Sequence, residues 1–416
     1  MRLATAFILL LFSSTAFAQT SGYCLPGRAE ATLDIGDVRA TVFNNGSLFF
    51  GDSGPAQYIV PESSGVSPFF AAGLWVGGLV EGELRFSGET YTDFQYWPGS
   101  IDESDQSPTA CLEYDRIYVV TRGDIQRYLD AGIASPDLMD WPFELGAPVL
   151  DGDGDPSNYN IEEGDQPAVW GEQMAWWVMN DVAGQRTEDS TDPNGIQVQT
   201  QAFAVPEGPE AFLQATFYRY KITYLGEQPL ENAYVSLWSD PDLGGPADDR
   251  VGVDTTFGTG FTYNADDFDE DFGPSWPGYG VHPPAAGFQL LDGVVGLPNG
   301  RDDDSDGHVD EPDEDVGLTS FAMLYEVGYP IGDPQTPQQM YLRMQGLWSD
   351  GRPFEEGGDG YMSGGPATKY MFAGDPVAGD FWSEVNCDGA GTPCDNGGDR
   401  RFMMTTGPFR MEHGDE

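Results

Sequence analysis

The chain has 416 residues, which is enough for two or three domains or for one large β unit with elaborate loops. Its formal charge is −51 at pH 7, and such a field repels nucleic acid and anionic membranes, so we exclude both as partners. The chain contains 55 glycines and 31 prolines, and long helical periodicity is nearly absent, as is typical of strands joined by many turns. We therefore predict a mainly β fold: an antiparallel β-sandwich-like body with long Asp/Gly/Pro-rich loops and few short helices.

Residues 1–18 have the features of a signal peptide. Arg2 supplies the positive charge, Leu3–Phe12 the apolar stretch, and Ala16–Ala18 the small-residue cleavage site before Gln19. No later segment approaches eighteen consecutive apolar residues, so we expect no membrane span and a secreted or cell-surface location. We assign 19–150 to an N-terminal β-rich region and 151–416 to a central β-sandwich-like region, with a soft boundary near 145–165.

Four cysteines remain after the signal peptide: Cys24, Cys111, Cys387 and Cys394. Cysteines of an exported protein form disulfides, and four of them allow three connectivities. The simplest connectivity joins Cys387 to Cys394 within a short Gly/Pro-containing loop and Cys24 to Cys111 across a long one.

Period-two alternation and turn residues predict the elements in chain order. Strands are predicted at 115–122, 174–181, 196–205, 216–224 and 232–238. The strand at 174–181 is apolar on both faces, and we expect the last three strands to be antiparallel neighbours. Short helices are predicted at 123–132, ended by Gly132, and at 336–348, with Thr336 as N-cap and Pro337 in the first turn.

The first acidic loop, 151–163, places Asp151, Asp153 and Asp155 at alternate positions and Glu162 at the twelfth. This spacing resembles a calcium loop, in which alternate carboxylates converge on one hard cation. Pro156 stands where such a loop has its turn glycine, so a plain acidic loop remains an alternative.

A second acidic cluster lies on loops around strand ends and contains Asp240, Asp242, Asp249 and Asp254. Its spacing is irregular. It is either a cation site built in three dimensions or a set of aspartates that form turns.

The densest acidic stretch, 299–315, has the spacing of a calcium loop, with Gly307 after the third aspartate. The proposed ligands are Asp302, Asp304, Asp306, His308 (through its backbone carbonyl), Asp310 and Asp313. A solvated acidic spacer is the alternative. We expect these carboxylates to converge, because like charges would not gather in a native fold without a counter-ion.

No catalytic motif of the common hydrolase, protease or nucleotide-binding classes is present, so no catalytic residue is assigned. We therefore expect a secreted or cell-surface, calcium-stabilised structural or adhesive protein. The alternative is an extracellular polysaccharide hydrolase that uses an Asp/Glu pair, since such a pair needs no motif. The expected partners are an extracellular glycan or a cell-surface matrix.

Several motifs taken together carry a resemblance. They are SPFFAAGLWVGGLVEGELRFSGETY (67–91), YDRIYVVTRGDI (114–125), WPFELGAPVLDGDGDPSNY (141–159), GEQMAWWVMND (171–181), LWSDPDLGGPADDRVGVD (237–254), YGVHPPAAGF (279–288) and DRRFMMTTGPF (399–409). The series resembles large, uncharacterised exported proteins of bacteria that use the type IX secretion system. The resemblance implies a β-rich N-terminal region followed by further modules and a C-terminal sorting domain. The sorting domain is absent, so we expect the chain to be truncated.

Overall fold

The computed structural model describes residues 24–51, 58–88, 90–91, 95–102, 111–187, 190–273, 276–302, 308–311, 314–325 and 327–416. The predicted signal peptide, 1–18, lies outside these residues. The first twelve strands are β1 (Glu30–Leu33), β2 (Arg39–Phe43), β3 (Ser47–Leu48), β4 (Tyr58–Ile59), β5 (Ala71–Val80), β6 (Glu83–Gly88), β7 (Trp97–Pro98), β8 (Tyr118–Thr121), β9 (Val149–Leu150), β10 (Gln166–Pro167), β11 (Gln173–Asn180) and β12 (Ile196–Ala204).

The remaining strands are β13 (Thr216–Tyr224), β14 (Leu230–Asp240), β15 (Asp249–Asp254), β16 (Thr259–Asn264), β17 (Phe268–Asp269), β18 (Gly280–Val281), β19 (Ala285–Gln289), β20 (Ser320–Leu324), β21 (Phe354–Glu355), β22 (Ala367–Thr368) and β23 (Arg401–Met411). The helices are α1 (Arg122–Ala131), α2 (Pro136–Met139), α3 (Glu210–Leu213) and α4 (Pro337–Met344), with 3-10 turns at Glu62–Ser64 and Phe143–Leu145. The mainly β prediction is confirmed. None of the helices in the described part of the chain has the length and apolar character needed to cross a membrane.

Two antiparallel sheets pack face to face. One has nine strands, with the path β1-β2-β3-β5-β14-β23-β20 and with β4 and β6 beside β2 and β5. The other has five strands, with the path β13-β12-β11-β7 and with β8 beside β11. Leu74 and Val76 of β5 share one core with Trp177 of β11 and Val198 of β12. This core is the interior of the sandwich, because alternate residues of each strand face the opposite sheet.

The nine-stranded sheet is also buried on its second face. Trp75 of β5 and Trp238 of β14 stack there, with 6.3 Å between ring centroids. Tyr341 and Met344 of α4 pack on the same side, together with Trp348 from the loop that follows. The nine-stranded sheet is therefore a middle layer, which explains why its central strands contain few charged residues.

Several local predictions are confirmed. Thr336 caps α4 by accepting from the Gln339 backbone N–H, and Gly132 ends α1 in the left-handed conformation that favours glycine. All eight residues of β11 are buried, as expected for a strand covered on both faces. The disulfides Cys24–Cys111 and Cys387–Cys394 are formed, with Cα–Cα distances of 5.9 and 4.9 Å.

The three-stranded unit predicted over 196–238 is wrong in one strand. β12 and β13 pair along their whole length, from Ile196–Tyr224 to Ala204–Thr216. β14 instead lies in the other sheet, between β5 and β23. Alternation shows that one face of a strand is buried, but both sheets of a sandwich offer such a face. The pairing of β14 with β5 also means that strands from before and after residue 150 belong to one sheet.

Candidate metal centre

The densest acidic stretch is only partly described. Asp304, Asp306 and Asp313 lie outside the described residues, so the predicted convergence around them stays a prediction. Asp302 is half-buried, and His308 and Asp310 are exposed. One carboxylate oxygen of Asp310 accepts hydrogen bonds from the backbone N–H groups of Asn299 and Gly300, at 2.7 and 2.8 Å.

The loop between β9 and β10 brings together two predicted ligands and one that was not predicted. β9 and β10 pair antiparallel, with Leu150 opposite Gln166, so the hairpin sets Asp151 next to Asp165. One carboxylate oxygen from each of Asp151, Asp153 and Asp165 lies within 4.8 Å of the other two. We call these three residues the hairpin triad; they could hold a metal ion.

Backbone N–H groups hold the hairpin triad in place. The two oxygens of Asp165 accept from Gly152 and Asn160, at 2.8 and 2.7 Å, and these bonds lower the pKa of Asp165. Asp151 accepts from the Gly154 N–H and Asp153 from the Asp155 N–H, as aspartates in tight turns do. These bonds favour the charged form of Asp165, and turn formation accounts for much of the geometry of the hairpin triad.

Asp155 and Glu162 are not part of the hairpin triad. Asp155 accepts from the backbone N–H and hydroxyl of Ser157, which lowers its pKa, and Glu162 is exposed. Asp165 occupies the place that the loop spacing gave to Glu162, because the hairpin returns the chain to Asp151 only at residue 165.

A second triad lies where β14 ends and β23 begins. The two strands are antiparallel, with Ser239 opposite Phe402, so Asp240 is beside Arg401. Asp242 follows two residues after Asp240, and Asp399 precedes Arg401 by two residues. One carboxylate oxygen from each of Asp240, Asp242 and Asp399 lies within 4.8 Å of the other two. We call these three residues the strand-end triad.

The guanidinium of Arg401 pairs with two members of the strand-end triad and with a further carboxylate. Arg401 lies 3.3 Å from an oxygen of Asp240, 3.1 Å from one of Asp399 and 3.3 Å from one of Asp333. Tyr91 donates its hydroxyl to the other oxygen of Asp240 at 2.5 Å. Three carboxylates thus pair with Arg401, and Asp242 adds a fourth negative charge to the site, so the described positive charge does not balance the negative charge.

Asp242 is the least compensated member. Its exposed fraction is 7 %, compared with 3 % for Asp240, whereas the Asp399 side chain is 39 % exposed. Among the described residues, no hydrogen bond of ordinary geometry reaches the Asp242 carboxylate. The buried indole N–H of Trp276 is near it and acts to lower its pKa, but no described residue accepts from that N–H in ordinary hydrogen-bond geometry. A carboxylate buried in this way without donors is costly unless a cation or a proton neutralises it.

The electrostatics of the strand-end triad follow from this burial. Burial raises the pKa of Asp242 to about 8, and the charges of Asp240 and Asp399 act in the same direction. Burial also raises the pKa of Asp240 to about 7, although Arg401 opposes it. Each ionised pair within 4.8 Å costs about 3 kcal/mol or more at an effective dielectric constant near 20. A divalent cation would remove this repulsion and release protons.

The other two predicted members of this cluster lie outside the triad. Asp249 is fully buried at the start of β15, where one oxygen accepts from the Leu243 N–H at 3.0 Å and no described residue donates to the other. Asp254 accepts from the backbone N–H groups of Thr256 and Phe257, so it forms a turn. The turn alternative therefore describes Asp254.

Two functional candidates, Asp165 and Asp399, escaped prediction. Asp165 stands directly before β10, and a hairpin reading of 149–167 would have placed it opposite Asp151. Asp399 lies 159 positions beyond Asp240 in the numbering, and only the pairing of β14 with β23 brings them together. No local pattern signals that pairing.

Both triads offer only hard oxygen ligands, which suit calcium or magnesium better than transition metals. No known protein family, curated protein or solved structure matches the chain. The two triads are therefore the features from which function is argued.

Proposed function

We propose that the protein is a secreted or cell-surface, calcium-stabilised structural or adhesive protein. The observation that carries the proposal is the strand-end triad: no described residue donates a hydrogen bond of ordinary geometry to buried Asp242, and Arg401 is shared among three other carboxylates. Calcium accepts six to eight oxygens in flexible geometry and neutralises such a group, whereas magnesium demands a tighter octahedron.

An extracellular setting agrees with this role. Two disulfides persist only in oxidising surroundings, and the predicted signal peptide leads there. Extracellular modules bind calcium with dissociation constants of about 10⁻⁴–10⁻³ M. A site with only three protein carboxylates is therefore sufficient for calcium binding in that setting. A bound ion would fasten the end of β14 to the start of β23, two central strands of the nine-stranded sheet.

Calorimetric titration of the metal-free chain with calcium tests the proposal. We expect binding accompanied by proton release at neutral pH, together with a higher melting temperature. Magnesium should bind more weakly. Asp242→Asn should lose the calcium binding of the strand-end triad. Asp292 is exposed and lies outside both triads, so Asp292→Asn should bind calcium as the parent chain does. No calcium binding by the parent chain, or equal binding by Asp242→Asn, would overturn the proposal.

The polysaccharide hydrolase stays an alternative prediction. A glycosidase needs two carboxylates that flank a bond in an accessible cleft. Asp240 and Asp242 are instead almost fully buried, so the strand-end triad does not favour this chemistry.

A further inference from the structure

A cavity of about 420 Å³ opens beside the N-terminus of α4. Its wall is formed by the segment after β20, by the first turn of α4 and by Ser349 beyond the helix. The volume lies within the range of about 300–1,000 Å³ that is typical of small-molecule sites. The cavity is separate from the strand-end triad, although Asp333 in its wall pairs with Arg401.

The described residues of the wall include a carboxylate and no cationic side chain. Among the described residues that line it, none is lysine, arginine or histidine, so an anionic ligand would find no counter-charge. The one carboxylate among the described lining residues is Asp333, which lies 3.3 Å from Arg401 and shares it with Asp240 and Asp399. A ligand without negative charge, whose hydroxyl groups can donate to the Asp333 carboxylate, therefore fits the cavity better than an anion.

Several polar atoms of the wall are available to a ligand. Gln339 uses its side-chain oxygen to accept from the Gln335 backbone N–H at 2.8 Å, while no described residue pairs with its Nε2 group. Gln335 donates to the Asp333 carbonyl at 3.1 Å, which leaves its own side-chain oxygen free to accept. The Ser349 hydroxyl also has no described partner. The described lining residues thus include both donors and acceptors, and a hydroxyl group matches either kind.

Aromatic rings complete the wall. Tyr329 stands at the rim with 70 % of its surface exposed, and half-buried Tyr325 lies deeper, with Arg400 5.5 Å from its ring centroid. An exposed ring offers a flat apolar surface for the C–H face of a pyranose, and the amides can bond its hydroxyls.

We propose that this cavity binds a neutral sugar residue of an extracellular polysaccharide. The inference goes beyond the proposed function, because it names a ligand class and does not require a cation. It gives the expected adhesive role a place on the molecule.

The test uses the full chain and a panel of neutral monosaccharides: glucose, galactose, mannose and N-acetylglucosamine. Saturation-transfer NMR should detect at least one of them, and calorimetry should then give its affinity. Tyr329→Ala removes the rim ring. Gln339→Glu keeps the oxygen that accepts from Gln335 but replaces the free donor with an acceptor. Each variant should weaken binding by about tenfold or more, as expected for one lost ring contact or hydrogen bond in a small site.

Matched controls keep the result decisive. Phe257→Ala removes a comparably exposed ring elsewhere, and Gln185→Glu changes an exposed glutamine, so both should leave the affinity unchanged. Gln339→Glu preserves the helix cap, so it decides the matter if Tyr329→Ala fails to fold. Sugar binding unaffected by both cavity variants, no binding to any sugar of the panel, or binding of tetramethylammonium in its place would overturn the proposal. Measurement in EDTA as well as in calcium separates this outcome from a failure of the cation site.

Discussion

Replacement of Asp242 by asparagine should change stability in opposite ways with and without calcium. In the metal-free chain Asp242 has a pKa of about 8, while an aspartate in an unfolded chain has a pKa of about 3.9. The folded state must therefore take up a proton at pH 7. That uptake costs on the order of 4 kcal/mol, from about three units of pH at 1.36 kcal/mol each. Asparagine has the same shape and no such cost.

We therefore expect Asp242→Asn to raise the melting temperature in EDTA by several degrees, and to reduce the additional rise that calcium gives to the parent chain. Differential scanning calorimetry in EDTA and in millimolar calcium measures both effects. Asp292→Asn should change neither, because it is exposed and outside both triads. A lower melting temperature of Asp242→Asn in EDTA would refute the reasoning, since it would show that the native site does not suffer from uncompensated charge.

Three further predictions follow from described contacts. Asp165→Ala should lower the free energy of unfolding by about 2 kcal/mol even in EDTA, because two backbone N–H groups lose their acceptor. Denaturant titrations that show a loss only in calcium would contradict this. In EDTA, the melting temperature should fall as the pH rises from about 5 to about 8. Burial raises the pKa of Glu384 to about 7, so the folded chain holds more protons than the unfolded one in this range. Glu384→Gln should make the melting temperature depend less on pH, and a melting temperature that rises with pH would contradict this prediction. Serine replacement of the Cys24–Cys111 pair, separated by 87 residues, should lower the free energy of unfolding by about 4.5 kcal/mol, because the disulfide restricts a long loop of the unfolded chain. The same replacement of the Cys387–Cys394 pair, separated by 7 residues, should lower it by about 2.5 kcal/mol. Equilibrium unfolding that gives the reverse order would contradict the loop-entropy argument.

Local features of this fold are predictable because local chemistry determines them. Thr336 followed by Pro337 starts a helix in any context that tolerates one, and Gly132 ends one at low cost. Trp176 and Trp177 are buried on opposite faces of β11, as the uninterrupted apolar run indicates, and each reaches a separate core.

Long-range pairing is where sequence patterns fail. β14 has the alternation of a neighbour of β13, but its partners are β5 and β23, more than 150 positions away on either side. The strand-end triad could not be predicted for the same reason, because the pairing of β14 with β23 is what brings Asp399 close to Asp240. Linear spacing also misassigned the hairpin triad: an EF-hand-type count selects Glu162, whereas the β9–β10 hairpin selects Asp165.

The place of β23 in the middle layer has a consequence for synthesis. β14 is central to the nine-stranded sheet, and one of its two neighbours is formed by residues 401–411. Among the described strands, β20 pairs with β23 alone in this sheet. A chain still on the ribosome and shorter than about 400 residues thus has β14 with an open edge and β20 with no sheet to join.

Contacts between residues so distant in sequence form late, because the loop between them must close first. We expect ribosome-bound chains that end before residue 401 to be cleaved readily by protease, and chains that extend well past residue 411 to resist it. Equal resistance of the shorter chains would show that the sheet forms without β23. A chain whose middle layer cannot close before residues 401–411 have been made keeps the edge of β14 open until then.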